Sequence, residues 1–403
     1  MLLALLACGG SSSPVTPPPV QAPVLNSITI SADGASLLIG STLQLIGTGR
    51  DEQGRVMAVA PVWAADNSAV ATVSSTGLVS GISAGSATIQ ARVGTVSGTY
   101  VVSVAAPVTA YVAGQSYFGR NNYIEYIAGN APVILTAPHG GTLNPASIPD
   151  RVAAACGGVA TTVTDLSTSE LVRSMQQRYF ARFGKYPHVI IANLSRRKLD
   201  ANRLLTEAAC GSPEAIAALD EWHAYIDIAK RAVLATSGRG WYMDMHGHAH
   251  VLQRLELGSL IANANLDFAD VTLDGTVSFE NTASIRTLSQ ASPLTFSALL
   301  RGPSSLGTLY ANGGYPAIPS VYDPRPNGTD YFDGGDNTVR HTCGAGASAL
   351  GGTTNGNICG VQIESNYTGV RDNAANRDRF GDVTAMVLEE YLRTHWGLRL
   401  ASP

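Results

Sequence analysis

The sequence predicts an all-β sandwich followed by an α/β domain, in a chain of 403 residues. Between Leu25 and Ala105, short segments alternating apolar and polar residues are separated by turn signals, the pattern of half-buried antiparallel strands. From Ala110 onward, apolar strand-like runs alternate with helical stretches, which predicts a sheet covered on both faces. Composition sets limits: 45% hydrophobic, 14% charged, 42 Gly and 20 Pro suit a loop-rich globular protein of the cell exterior, not a disordered chain. A net charge of -4, with no Lys or Arg run able to follow a phosphate backbone, speaks against nucleic acid as a partner. No segment reaches the roughly 18 apolar residues that a membrane-spanning helix needs.

The chain begins Met1-Leu2-Leu3-Ala4-Leu5-Leu6-Ala7-Cys8-Gly9-Gly10. An apolar run closing on small residues is how an export signal ends. Leu5-Leu6-Ala7-Cys8 resembles a bacterial lipobox, which implies a signal over residues 1–8, diacylglycerol on Cys8 and a membrane anchor in the cell envelope. A positively charged leader is missing from this run, which leaves a start upstream of Met1 open. Residues 9–24, rich in Ser and Pro, cannot build a core and read as an extended tether. With Cys8 lipidated, Cys156, Cys210, Cys343 and Cys359 remain, an even set that outside the cytoplasm predicts disulfides. Sequence alone allows three connectivities. Cys156–Cys210 and Cys343–Cys359 are favoured because each pair brackets a loop-rich stretch.

Residues 25–105 carry the sandwich pattern in Ser27-Ile28-Thr29-Ile30, Leu43-Gln44-Leu45-Ile46, Ala87-Thr88-Ile89-Gln90-Ala91 and Tyr100-Val101-Val102-Ser103-Val104. The ordered set Val62-Trp63, Val70-Ala71-Thr72-Val73, Gly77-Leu78-Val79-Ser80-Gly81 and Ala84-Gly85 resembles the bacterial Ig-like domain, group 2. That resemblance implies a spacer or adhesive module, open to a cell-surface glycan or protein, with Trp63 buried between its sheets.

In residues 110–403, Ala131 to Thr136 and His188 to Ala192 read as strands. Helices are expected from Ser169 to Phe183 and from Pro213 to Thr236, where Ile216, Leu219, Trp222 and Ile226 recur at helical spacing. Three strand-end segments carry chemistry. Pro138-His139-Gly140-Gly141 follows a strand, and its glycines allow a sharp turn and close approach of a ligand. His246, His248 and His250 alternate along a strand-like segment and so project to one side, with Asp244 placed to orient an imidazole. The chain has only 8 His, so three here favour a metal site. Gln362-Ile363-Glu364 ends a half-buried strand with a carboxylate able to activate water. A fourth segment, Ser195-Arg196-Arg197-Lys198-Leu199-Asp200-Ala201-Asn202-Arg203, offers Arg203 and Asn202 as a carboxylate clamp, with Asp200 steadying the guanidinium.

Taken in order, these segments resemble the N-formylglutamate amidohydrolase family, similar in fold to the zinc carboxypeptidases. The resemblance runs from about Tyr117 to Trp396. It also includes Thr164-Asp165, Asp244-Met245-His246-Gly247, Gln253-Arg254, Glu256-Leu257-Gly258 and Tyr331-Phe332-Asp333-Gly334-Gly335. It implies a three-layer, phosphorylase/hydrolase-like catalytic domain. By the same resemblance, His139, His246 and Asp165 would hold Zn2+, and Glu364 would be the catalytic acid and base. Arg203 and Asn202 would hold the substrate carboxylate, assisted by Arg197 or Arg254, with Asp244 behind His246. Zinc carboxypeptidases supply a Glu three residues after the first His, where this chain has Thr142. The third ligand must come from elsewhere: Asp165 has Glu170 and Asp150 as rivals, and His248 could be a ligand or a proton donor.

The expected activity is hydrolysis of an amide bond beside a carboxylate by an exported zinc amidohydrolase of carboxypeptidase type. N-formylglutamate belongs to cytoplasmic histidine breakdown. An exported protein points instead to an N-acyl amino acid, a peptide with a free carboxylate or a peptidoglycan stem peptide. The alternative is a surface binding or adhesion lipoprotein with an inactive hydrolase domain.

Overall fold

The computed structural model describes residues 22–32, 35–105, 110–158, 160–346 and 356–400. Cys8, with the 1–8 signal and most of the 9–24 tether, lies outside the described residues. The chain divides into two units, with the boundary between Ala106 and Pro107.

Among the described residues, ten strands build the first unit. They are β1 (Leu25–Ser31), β2 (Ser36–Leu38), β3 (Thr42–Gln44), β4 (Ile46–Asp51), β5 (Val56–Met57), β6 (Val62–Ala65), β7 (Ala71–Val73), β8 (Leu78–Gly81), β9 (Gly85–Val93) and β10 (Val96–Ala105). Three small sheets result, ordered β1-β4-β5, β2-β10-β9-β6 and β3-β8-β7. Alternation decides the core: Ala87, Ile89 and Ala91 of β9 are buried, while Gln90 points outward. Two expectations need correction here. The strand read at Leu43 to Ile46 breaks at Leu45, which is buried and donates its N–H to Gly77 O at 2.9 Å. Trp63 is only partly buried and packs against the edge of the core. It lies over Gly77, whose φ of +82° and whose distance of 2.7 Å from an added Cβ to Leu45 O both require glycine.

The second unit carries an eight-stranded mixed sheet, ordered β11-β12-β14-β13-β15-β18-β16-β17. Its strands are β11 (Ser116–Phe118), β12 (Ile124–Ile127), β13 (Val133–Ala137), β14 (His188–Ala192), β15 (Gly240–Gly247), β16 (Leu255–Gly258), β17 (Ala317–Ile318) and β18 (Ile358–Ser365). The central strands β14, β13, β15 and β18 run parallel, and every residue of β13, β14 and β18 is buried. Strands buried along both faces are what a sheet covered on both sides demands.

Helices supply that cover. On one face, α1 (Thr168–Phe183) and the C-terminal helix Ala374–Trp396 place Leu171, Met175, Phe380 and Leu388 against Leu135, Met243 and Val361. The short α2 (Leu205–Ala209) leads into α3 (Pro213–Ser237), which covers the other face with Leu219, Trp222, Ile226 and Val233 against Ile134, Ile190 and Tyr242. The residues explain the limits of α3. Ser212 caps its first turn by accepting the Ala215 N–H, Pro213 fits the first helical position, and Gly238 ends it at a φ of 67°. Three layers are thus formed, and both favoured disulfides, Cys156–Cys210 and Cys343–Cys359, are present.

The period-two rule also selects what faces α3. On β15, Trp241, Met243 and Met245 join the core on the α1 side, so Tyr242, Asp244 and His246 fall on the opposite face. On β18, Val361 and Ile363 do the same, leaving Gln362 and Glu364 beside them. Register then sets His246 opposite Glu364, Asp244 opposite Gln362, and Glu256 of β16 opposite Glu364.

One buried group in this sheet makes stability depend on pH. His188 Nδ1 lies 2.8 Å from Tyr126 Oη and accepts the Gly129 N–H at 3.2 Å, so its lone pair is committed. Burial pushes His188 down to about 4. The unfolded chain, with His near 6.5, therefore binds a proton that the folded chain refuses. The corresponding stability is fully present above pH 6.5 and is lost as pH falls from 6.5 towards 4. Wild-type protein is expected to lose about 2–3 kcal/mol from this group between pH 7.5 and 4.5. The His188→Gln variant, which keeps an acceptor there, should show a shallower decline in urea unfolding; parallel slopes would contradict the assignment.

Candidate metal centre

His139, Asp244, His246 and Glu364 lie at or just past the C-terminal ends of β13, β15 and β18. Past Ala137 the chain turns through Pro138-His139-Gly140-Gly141 between the β14 end and the start of α1. A Cβ on Gly140 would stand 2.4 Å from Ser169 Oγ, and one on Gly141 would stand 2.3 Å from Ala192 O. These glycines therefore make room for Ser169 and the end of β14, where the sequence suggested a ligand. Asp165, just before α1, is held by its own N–H, which donates to His139 O at 3.1 Å.

His139, Asp165 and His246 converge and are buried. Asp165 Oδ2 is 3.3 Å from His139 Nδ1 and 3.3 Å from His246 Nδ1, and it also accepts the Gly247 N–H at 3.2 Å. The far ring nitrogens are engaged elsewhere: His139 Nε2 lies 2.6 Å from Asp200 Oδ1, and His246 Nε2 lies 2.9 Å from Asp244 Oδ2. A neutral imidazole has one N–H, and those short contacts take it. Both Nδ1 lone pairs then face a carboxylate oxygen, an arrangement that calls for a cation between them. Ligand atoms about 2.0–2.2 Å from a tetrahedral ion stand about 3.3 Å apart, so the spacing also suits zinc. Imidazole donating its other N–H to a carboxylate is the usual support of such a ligand.

Electrostatics agree. Burial opposes ionisation of Asp165, but His139 and His246 outweigh it and hold the carboxyl far below its usual range. Burial also opposes charge on His246, yet Asp244 and Asp165 push it up to about 10. The charges that draw a proton to that imidazole would equally favour a divalent cation. Asp200 is fully buried and kept ionised against its desolvation by His139, Arg196 and Arg151, with Arg196 Nε at 2.9 Å.

Glu364 Oε1 lies 3.8 Å from His246 Nδ1 and accepts from Gln362 Nε2 at 2.9 Å. Burial pushes Glu364 up to about 7 against the pull of His246. Asn202 Nδ2 donates to Gln362 Oε1 at 3.3 Å, and its Oδ1 accepts the Asn337 N–H at 2.8 Å. Its amide is thus committed to protein partners rather than free to clamp a substrate. Arg203 is about one-third exposed, donates to Asn202 O at 3.0 Å and lies 3.6 Å from Glu207. Asp200, expected to steady Arg203, grips Arg196 instead.

Other candidates are placed differently. Arg197 forms a surface ion pair with Asp150 at 2.6 Å, and Arg254 is tied to Asp323, Thr329 and the Asp330 carbonyl. Of the rivals for the third ligand, Asp150 is spent on Arg197 and Lys198, and Glu170 is exposed. The three alternating histidines do not act as one set, because β15 ends at Gly247. His248 and His250 instead lie close to Glu256. Sequence reasoning missed Asp200 behind His139, Asn337 on Asp244 at 3.2 Å, and Arg371, whose guanidinium donates to the Ser365 and Leu166 carbonyls. Only the Arg196–Asp200 spacing of four residues hinted at any of them.

Residues 24–104 match the family described as Bacterial Ig-like domain (group 2), and this part of the chain is such a domain. No curated protein matches the chain. Among solved structures, domains 4 and 5 of the S-layer protein SbsC are 28% identical, with a TM-score of 0.18, covering 21% of this chain and 53% of that one. The chain thus spans about half the length of that S-layer fragment. An N-formylglutamate amidohydrolase from Ralstonia eutropha JMP134 is 14% identical, with a TM-score of 0.34, covering 67% of this chain and 96% of that one. At these values neither likeness bears on chemistry, which must be argued from the site. No helix among the described residues is long and apolar enough to cross a membrane.

Proposed function

We propose that the second unit is a zinc-dependent hydrolase that cuts an amide bond beside a carboxylate, in an N-acyl amino acid or a peptide. The observation that carries this reading is the convergence of His139 Nδ1 and His246 Nδ1 on the Asp165 carboxylate at 3.3 Å, with Glu364 beside them. His139, Asp165 and His246 would hold the ion. Zinc bound there supplies a polarised scissile carbonyl and an attacking water whose pKa falls towards about 7. Glu364 would take a proton from the attacking water and return it to the leaving nitrogen, so that the acid and amine products balance. Arg203 is the cation assigned to the substrate carboxylate, and Asn202 ties Gln362 into line with Glu364.

The Ig-like domain supports a cell-surface setting, where it would act as a spacer or as a contact for a surface glycan or protein. Lipidation of Cys8 would anchor the chain to the envelope membrane. Elemental analysis of the full chain and of His246→Ala tests the centre. Zinc close to one equivalent, lost in the variant, is the expected result. Absence of zinc after incubation with the ion would end the hydrolase reading and favour a surface binding module.

A further inference from the structure

We propose that a hollow between the loop after β15 and residues 328–330 is a subsite for an alkylammonium group of the substrate, held by His250 Nε2 and the Asp330 carboxylate. The substrate part of this inference rests on the hydrolase reading above. The hollow, about 200 Å3, is lined by His250, Val251, Leu252, Gly328, Thr329 and Asp330.

Its polar end is built from the sheet outward. Glu256 is fully buried, stands opposite Glu364 in register and accepts from His250 Nδ1 at 2.8 Å and Phe332 N at 2.9 Å. An ionised carboxylate only accepts, so His250 Nδ1 carries the proton and, in the neutral ring, the lone pair sits at Nε2. Stacking on Phe332, 4.9 Å between centroids and 19° between planes, fixes the ring. Arg254 holds the facing wall through Thr329 Oγ1 at 2.9 Å and Asp330 O at 3.1 Å, using the Asp330 carbonyl and leaving its side chain exposed.

The lining therefore offers a lone pair and a carboxylate, both acceptors, beside the exposed side chains of Val251 and Leu252. Acceptors at one end and an apolar wall along the side fit a donor cation on an aliphatic stem, and they repel an anion. A second metal ion is the competing occupant, since His248, His250 and Glu256 are close. Both nitrogens of His248 are already used, Nδ1 by the His250 N–H at 3.1 Å and Nε2 on Arg254 O at 2.8 Å. The His250–Glu256 contact is also shorter than the 3.3 Å spacing at the metal centre and has a proton to fill it. The proposed substrate class is thus an N-acyl amino acid or peptide bearing a lysine-like amine.

The zinc-loaded full chain is titrated with n-butylammonium and with n-butanol, following the His250 imidazole by NMR. Butylammonium should bind about tenfold more tightly, and Asp330→Asn should remove that advantage. Equal response to both probes, or an advantage surviving in both Asp330→Asn and His250→Gln, overturns the subsite. Matched turnover of N-acetyl-lysine and N-acetylnorleucine should favour lysine at least about tenfold in kcat/KM. Cleavage of both at equal rates defeats the subsite and spares the hydrolase. Ammonium binding without cleavage of either, or of other N-acyl amino acids and peptides, does the reverse. A second zinc equivalent lost in His250→Ala would assign the hollow to a metal instead.

Discussion

Glu364→Gln is expected to lower kcat about 10²–10⁴-fold while bound zinc is retained. Glutamine has the same shape, and its carbonyl oxygen can still accept the 2.9 Å hydrogen bond from Gln362 Nε2. The packing of β18, whose residues are all buried, should therefore be undisturbed. What disappears is an oxygen able to take a proton, at a group that burial has already pushed up to about 7. KM should change little, because Glu364 is assigned no part in holding the substrate. Single-turnover kinetics with zinc measured on the same samples would separate the two effects. A kcat within tenfold of wild type would remove Glu364 from the mechanism. Attention would then move to Glu256, the buried carboxylate directly opposite it.

The sequence was informative wherever a rule of period or punctuation operates. Period-two alternation on β15 and β18 placed Asp244, His246 and Glu364 on strand ends, and register then made them neighbours. The helical spacing of Ile216, Leu219, Trp222 and Ile226 marked α3. Long-range partners were not legible, because no local pattern encodes them. Asp200 read as support for Arg203, yet the loop after β14 aims it at His139, 61 residues away. The alternation of His246, His248 and His250 misled for the opposite reason. It assumed that the strand continues, and β15 stops at Gly247. Arg197 and Arg254 were equally visible as cations, but their acidic partners Asp150 and Asp323 lie 47 and 69 residues away.

Asp244→Asn and Asp200→Asn should each weaken zinc binding about 10–100-fold, with different effects on the fold. Asp244 accepts from His246 Nε2 at 2.9 Å, from Thr136 Oγ1 at 2.5 Å and from Asn337 Nδ2 at 3.2 Å. An asparagine there loses the charge that makes His246 a better donor to the ion. Its remaining partners are a hydroxyl and an amide, which can re-pair without burying a bare charge. The apo-protein should therefore lose only about 1–3 kcal/mol of stability. Asp200 differs because it also binds Arg196 at 2.9 Å and lies 3.7 Å from Arg151, both guanidiniums being buried. Removing its charge strands cations as well as freeing His139, at a cost of about 3–5 kcal/mol. Chelator competition would measure zinc affinity, and urea unfolding of the apo-protein would measure stability. Equal stability losses in the two variants would mean that Asp200 does not neutralise the buried arginines. Unchanged zinc affinity in both would mean that His139 and His246 are not metal ligands.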